Sequence, residues 1–135
     1  MISEHRIFDA DLETVPEMIE FIEELTDNFS PKLSYDITLV CEEILVNIAS
    51  YAYPDRDGQL AVLWENDTDN KKLRIEFEDS GLPFNPLEKE APDLDVPIKE
   101  RQIGGLGIMM VRKLMDDVKY SYIGGKNTLT VMKAY

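Results

Sequence analysis

Apolar residues recur at three- and four-residue intervals in two long segments of the chain. The first segment runs from about Leu12 to Phe29, and glutamates occupy much of the face opposite its apolar residues. The second runs through residues 39–54 and carries the apolar stripe Leu39, Val40, Ile44, Ile48 and Ala52. Between the two, Ser30 can cap the second helix and Pro31 fits its first turn. The pattern therefore predicts two amphipathic helices.

Strict alternation of apolar and polar residues predicts strands at about residues 59–66 and 72–79. In the stretch L-R-I-E-F-E-D the apolar residues alternate with charged ones, so one face of the second strand is predicted to meet the core. Asp79 falls on that core-facing side and is followed by the turn-forming segment S-G-L-P-F-N-P. A carboxylate that points inward needs hydrogen-bond donors, and a ligand is one source of them.

A glycine-rich segment, I-G-G-L-G at residues 103–107, opens a third helical pattern. Backbone N–H groups of a glycine loop at the start of a helix form a natural phosphate site. The segment does not directly follow a strand and lacks the lysine of a P-loop, so neither a dinucleotide-binding βαβ unit nor a P-loop fits. Residues from about 86 to 103 show no clear period, and we predict a long loop or partial lid there.

The chain ends with two strand-like runs at about residues 117–123 and 128–134, around Gly124-Gly125-Lys126-Asn127, which predicts a hairpin. No repeat, low-complexity tract or second domain is evident. Residues 1–135 are therefore expected to form one domain, long enough to bury a hydrophobic core.

Glu43 and Asn47 lie one helical turn apart, beside the apolar stripe of the second helix. By themselves such residues more often mark the edge of a solvated helix face than a site. Buried without partners, however, a carboxylate and an amide would be destabilising. Whether Glu43 and Asn47 belong to a functional site depends on whether Asp79 and the glycine segment lie next to them in the fold.

The net charge of −13, from 14 basic and 27 acidic residues, argues against direct binding of nucleic acid or of an anionic membrane. No apolar run reaches about 18 residues and no leader pattern opens the chain, so a membrane span and a signal peptide are not expected. The single cysteine, Cys41, excludes an internal disulfide and is predicted to be a buried reduced thiol, consistent with the cytoplasm. His5 lies in an expected first strand ending near Asp9 or Asp11, and we interpret it as a surface residue.

Three motifs stand in a fixed order: E-I-L-V-N from residue 43, D-S-G-L-P-F-N-P from residue 79, and G-G-L-G-I-M-M-V-R-K-L-M-D-D-V from residue 104. In these motifs the chain resembles the GHKL superfamily of ATP-binding domains, and most closely the bacterial anti-sigma factor serine/threonine-protein kinases, from about Leu33 to Lys133. The resemblance implies an α/β (α+β) fold of the Bergerat type. That fold is a two-layer sandwich in which three helices cover one face of a mixed, mostly antiparallel sheet.

The resemblance also implies roles for the two helix residues and for the adenine site. Asn47 would coordinate a Mg²⁺ ion that bridges the nucleotide phosphates, and Glu43 would act as the general base. Asp79 would accept a hydrogen bond from the adenine amino group. Gly81 would let the backbone approach the base. Thr128 matches the family threonine near adenine, although Asn127 stands where the family usually has glycine.

For the phosphates, the resemblance implies that Gly105 and Gly107 supply room and backbone donors. In the predicted lid, Lys99 or Arg101 could reach a terminal phosphate. These roles, like those of the adenine site, are expectations from the resemblance.

The implied activity is that of an ATP- and Mg²⁺-dependent protein serine kinase, which phosphorylates a STAS-type anti-anti-sigma partner and can also hold a sigma factor. A cytoplasmic homodimer is implied as well. The alternative is a partner-sequestering module that uses nucleotide only as a switch, without significant kinase activity. The kinase half of a histidine-kinase-like system ranks lower, because His5 is not in a helical phosphoacceptor context.

Overall fold

The computed structural model describes residues 1–88 and 105–135. In these residues one sheet of five strands accompanies three α-helices. Short 3-10 turns precede the first helix, at Leu12–Thr14, and follow the third strand, at Pro86–Glu88. The helices and strands follow the chain as β1 (Ile2–Asp9), α1 (Val15–Leu25), α2 (Pro31–Tyr51), β2 (Gln59–Asp67), β3 (Lys72–Asp79), α3 (Gly105–Leu114), β4 (Asp117–Ile123) and β5 (Lys126–Ala134).

The sheet has the strand order β1-β2-β3-β5-β4, and each of these neighbouring pairs in the described chain is antiparallel. In β2 and β3 buried residues alternate with partly exposed ones, so one face of the sheet meets the core. The buried side chains of all three helices join that same core. The predicted two-layer α+β fold is confirmed, and β3 lies at the centre of the sheet.

The helix boundaries follow from capping interactions. α1 begins at Val15, later than predicted, because Asp11 caps the preceding turn by accepting a hydrogen bond from Thr14 N at 2.8 Å. The predicted cap of α2 is confirmed, since Ser30 Oγ accepts from Leu33 N at 3.2 Å and Pro31 is the first residue of the helix.

The C-terminal hairpin turns more tightly than predicted. Gly124 and Gly125 alone form the turn, with φ angles of 63° and 78° that suit glycine. β5 therefore begins at Lys126, and Asn127 is a strand residue paired with Asp79 of β3. The prediction that placed Lys126 and Asn127 in the turn was wrong by two residues.

The glycine segment also differs from the prediction. Gly105 and Gly107 lie in the first turn of α3, not in a loop before it. Gly104 and most of the predicted lid, including Lys99 and Arg101, lie outside the described residues.

Other expectations from the sequence concern single residues. Cys41 is buried as predicted, and burial raises the pKa of its thiol. His5 is exposed on β1. Among the helices that the structure describes, none is both long and apolar enough to cross a membrane.

Candidate functional site

A pocket opens between α2 and the sheet, at the end of β3 where the chain leaves the strand. Apolar side chains form most of its wall, and a small number of polar groups converge on it, as is typical of ligand sites. Its lining residues are Glu43, Ile44, Asn47, Ile48, Tyr51, Ala52, Phe77, Asp79, Leu82, Phe84, Pro86, Ile108, Val111, Tyr120, Asn127 and Leu129. The fold thus brings together the two helix residues and the strand-end aspartate that were singled out in the sequence.

Glu43 and Asn47 line the α2 wall of this pocket. Asn47 Oδ1 is buried and has no hydrogen-bond partner among the described residues. Buried polar atoms are nearly always satisfied, and an orphaned acceptor of this kind is destabilising. A ligand or cation in the pocket would remove that penalty. Asn47 is therefore a candidate site residue and not merely a polar residue at the edge of a solvated helix face.

Asp79 points into the core from the end of β3 and is only 7% exposed, so its predicted inward orientation is confirmed. Its Oδ1 atom accepts hydrogen bonds from Gly81 N and from Asn127 Nδ2, both at 2.9 Å. Burial raises the pKa of Asp79, and these two hydrogen bonds oppose the rise. Protein donors therefore occupy one oxygen of the carboxyl group, Oδ1, while the residue still borders the pocket.

Asn127 is a polar pocket residue to which the sequence analysis gave no role. Its Nδ2 also donates to Leu82 O at 2.8 Å, and its Oδ1 accepts from Phe84 N at 3.1 Å and from the Tyr120 hydroxyl. One buried amide thus joins β5 to β3, to β4 and to the segment after β3. Strand alternation in β5 could have revealed its inward direction, had the start of the strand been predicted correctly.

Thr128, the predicted neighbour of adenine, does not line the pocket. Successive side chains of a strand point to opposite faces of the sheet, and Asn127 takes the inward position. Thr128 pairs across the sheet with Glu78 and Ser121, which share its outward parity. The one-residue difference places Asn127, and not Thr128, among the residues that line the pocket.

Gly81 has a structural reason to be glycine that differs from the expected approach to a base. A Cβ atom at this position would lie 2.2 Å from Ala52 O and 2.6 Å from Ala52 C. Leu82 N also donates to Ala52 O at 2.9 Å. The segment after β3 is therefore pressed against the C-terminal end of α2, and only glycine fits there.

The N-terminus of α3 lies next to the described part of the pocket, because Ile108 and Val111 line it. Gly105 and Gly107 belong to the first turn, where backbone N–H groups have no partner within the helix. Such a helix end favours anions. This is compatible with the phosphate role expected for the two glycines.

The carboxyl and basic side chains that line the described part of the pocket are all acidic. Glu43 and Asp79 line it, whereas no lysine or arginine does so among the described residues. The described residues also contain no group of three or more His, Cys, Asp or Glu that could hold a metal ion. A metal at Asn47 would therefore need ligand oxygens from the bound molecule.

Residues 8–133 match the histidine kinase-like ATPase domain family. The chain belongs to this family. The resemblance inferred from the three motifs is thereby confirmed at the level of the family.

Named relatives lie among bacterial protein kinases. Serine/threonine-protein kinase BtrW of Bordetella bronchiseptica is 28% identical over 107 residues, which cover 79% of this chain and 75% of that protein. Serine-protein kinase RsbW of Bacillus cereus is 30% identical over 101 residues, covering 70% of this chain and 60% of that protein. The match therefore spans less than two thirds of the RsbW relative's own length.

Solved structures support the fold. The RsbU and RsbW domains of a Mycobacterium tuberculosis protein superpose with a TM-score of 0.70 at 16% identity, over 99% of this chain and 32% of that chain. A histidine kinase domain from Erythrobacter litoralis gives a TM-score of 0.55 at 16% identity, over 90% of this chain and 59% of that chain. At this level of identity the likeness concerns architecture alone.

Proposed function

We propose that the pocket binds ATP, with the adenine ring against Asp79 and the phosphates towards Asn47 and the start of α3. One observation carries the proposal: a buried carboxylate and an orphaned amide oxygen, Asn47 Oδ1, border the same largely apolar pocket. The carboxylate is an acceptor suited to the 6-amino group of adenine, and the apolar wall suits the base itself. Membership of an ATPase domain family supports the choice of nucleotide.

The donor set fits a divalent cation held jointly by protein and nucleotide. Asn47 Oδ1 is a hard oxygen ligand without another partner in the described chain, and Glu43 lies one turn before it. A bound Mg²⁺ ion would neutralise phosphate charge in a pocket whose described lining has no basic side chain. Asn47 is the residue that would hold it, and the remaining ligands would come from phosphate oxygens and water.

The reaction that we propose is transfer of the γ-phosphoryl group to a serine of a partner protein. The serine oxygen forms the new bond to phosphorus, the bond from phosphorus to the β,γ-bridging oxygen breaks, and ADP leaves. Glu43 takes the proton of the serine hydroxyl. The relatives are named serine or serine/threonine kinases, which supports this chemistry over a histidine acceptor.

We propose a STAS-type anti-anti-sigma protein as the phosphorylated partner, and a sigma factor as a second protein that the domain can hold. A cytoplasmic homodimer is the proposed working form. These proposals rest on the resemblance to anti-sigma factor kinases. The surplus of acidic residues is compatible with a partner that presents basic residues.

The deciding experiment combines nucleotide binding with phosphotransfer. Thermal unfolding with and without ATP and Mg²⁺ tests the pocket, because a ligand that binds only the folded state raises the melting temperature. Labelled ATP is then incubated with candidate STAS proteins. Label on a partner serine supports the kinase. Stabilisation by ATP without labelling of any candidate favours a nucleotide-switched binding module, and absence of stabilisation contradicts both.

A further inference from the structure

The side-chain amide of Asn127 is fully engaged, and its orientation is determined by its neighbours. Its nitrogen faces three acceptors, which are Asp79 Oδ1, Leu82 O and, at 3.5 Å, Gly81 O. Its oxygen faces two donors, Phe84 N and the Tyr120 hydroxyl. Reversing the amide would set donor against donor and acceptor against acceptor, so only one orientation satisfies the network.

This orientation has a direct consequence for Asp79. With Asn127 Nδ2 and Gly81 N both on Oδ1, that oxygen is occupied by protein donors. The other oxygen, Oδ2, makes no hydrogen bond within the described chain, and the residue borders the pocket. Asp79 therefore offers the pocket an acceptor, and in its ionised form it offers no donor.

We infer that Asn127 is a positioning residue for base selection: by holding Oδ1 of Asp79, it makes the site accept a purine with a 6-amino group and reject one with a 6-carbonyl group. The inference rests on the proposed binding of a purine nucleotide. A 6-amino group donates to the free carboxylate oxygen. A 6-carbonyl group would face it acceptor to acceptor, leaving two buried polar groups unpaired.

The protonation state of Asp79 decides whether this rejection holds. Burial raises its pKa, and the Asn127 hydrogen bond is the largest opposing influence. Without that donor the carboxyl group would protonate more readily and could donate to a 6-carbonyl oxygen.

No charged side chain donates a hydrogen bond to Asp79 among the residues that the structure describes. Lys126 of β5 lines a second cleft beside Asp79, where it forms an ion pair with Glu78 at 3.4 Å. The titratable side chains that line the same pocket are Glu43 and Tyr51 from α2 and Tyr120 from β4, and the described lining of α3 is apolar. Arg56, from the segment after α2, donates to Ser80 O and lies over the ring of Tyr53. In the described chain, the side-chain hydrogen bond to the Asp79 carboxylate comes from Asn127.

A purely structural role for Asn127 predicts a different outcome. Its bonds to Leu82 O and Phe84 N anchor the segment after β3, so its loss could simply loosen the pocket. Loosening weakens the binding of every nucleotide in similar proportion. Base selection instead changes the ratio between two nucleotides, and the ratio is what the experiment measures.

The test compares ATP with ITP, which replaces the 6-amino group by a 6-carbonyl, carries a hydrogen on N1 and adds nothing at position 2. Affinities are measured by calorimetry with Mg²⁺ for the wild type and for Asn127→Leu, which removes the amide at similar volume. The wild type is expected to prefer ATP by about 100-fold or more. In the variant we expect this preference to fall by about tenfold or more. It should fall further as pH is lowered towards the raised pKa of Asp79, because protonated Asp79 then favours ITP.

The matched control is Thr128→Val, which alters the next residue of β5 on the outward face of the sheet and should leave the ratio unchanged. Equal weakening of ATP and ITP in Asn127→Leu, with no dependence on pH, would overturn the inference. Failure of the wild type to bind either nucleotide would instead contradict the proposed function. Nucleotide-free melting reports whether the variant folds. If Asn127→Leu does not fold, Asn127→Ala replaces it. The same fall in the preference for ATP is then expected, and equal weakening of both nucleotides would again overturn the inference.

Discussion

The side-chain nitrogen of Asn127 lies 2.9 Å from Oδ1 of Asp79, although 48 positions separate the two residues along the chain. The register of β3 and β5 sets them opposite each other in the sheet. This contact links the end of the central strand to the C-terminal hairpin. It also determines which oxygen of the carboxylate remains for a ligand.

Replacement of the strand-end carboxylate should reverse the base preference. In Asp79→Asn, the side-chain oxygen is expected to keep the hydrogen bonds from Gly81 and Asn127, which turns the amide nitrogen towards the pocket. ATP affinity should fall by about 100-fold, while ITP should bind better than it does to the wild type. Calorimetry with both nucleotides checks this, and unchanged ATP binding would remove Asp79 from the site.

The same substitution should change the pH dependence of stability. Burial raises the pKa of Asp79 in the folded protein, so the folded state binds this proton more readily than the unfolded chain does. The free energy of unfolding therefore falls as pH rises from the ordinary carboxyl pKa through the raised one, and the loss persists at neutral pH. Asp79→Asn should abolish that part of the slope and stabilise the nucleotide-free protein at pH 7. Urea unfolding across this range measures it, and an identical slope in the variant would contradict the prediction.

Removal of the proposed base should separate binding from chemistry. Glu43→Gln keeps the size and polarity of the side chain but cannot accept a proton from a serine hydroxyl. We expect ATP to stabilise the variant as in the wild type, while phosphotransfer to the proposed STAS partner falls by about 100-fold to 10,000-fold. Single-turnover transfer of labelled phosphate measures the loss.

The control for this substitution is Glu42→Gln, which neutralises an exposed carboxylate at the preceding position of α2. It should transfer phosphate at the wild-type rate. Retained transfer in Glu43→Gln would exclude Glu43 as the base.

Asn47→Leu should stabilise the nucleotide-free protein but remove the effect of Mg²⁺ on ATP binding. The substitution replaces a buried oxygen without a partner by an apolar group of similar size, which is expected to raise the free energy of unfolding by about 1 kcal/mol or more. The same change should abolish the increase in ATP affinity that Mg²⁺ produces. Unfolding curves and ATP titrations with and without Mg²⁺ give the two readouts. A magnesium effect equal to that of the wild type would show that another group holds the cation.

Gly81→Ala should disrupt the contact between the segment after β3 and the end of α2. The added methyl group would overlap Ala52 O, a backbone atom that cannot rotate away. We expect a loss of about 1–3 kcal/mol in the free energy of unfolding, with weaker ATP binding as the segment is displaced. Ser80→Ala, at the exposed neighbouring position, is the control and should behave as the wild type. Wild-type stability in Gly81→Ala would mean that this packing is looser than the distances indicate.

Features that depend on neighbouring residues were predictable from the sequence. The three- and four-residue period predicted α1 and α2, and Ser30 with Pro31 predicted where α2 begins. Alternation in β3 predicted that Asp79 points inward, because every side chain of a strand takes its direction from its predecessor. Local periodicity also placed Glu43 and Asn47 on neighbouring positions of one helix face. The family itself could be inferred, since its motifs are contiguous stretches of sequence.

Only the tertiary structure decided what surrounds Asp79 and Gly81. A two-glycine turn starts β5 at Lys126, and this shift puts Asn127 rather than Thr128 in the pocket, because a displacement of one residue exchanges the two faces of a strand. The need for glycine at position 81 comes from the carbonyl of Ala52, which reaches it only when α2 packs on the sheet. Such contacts join residues far apart in the chain. Periodicity describes one element at a time, so it determines the direction of a side chain but not its partner.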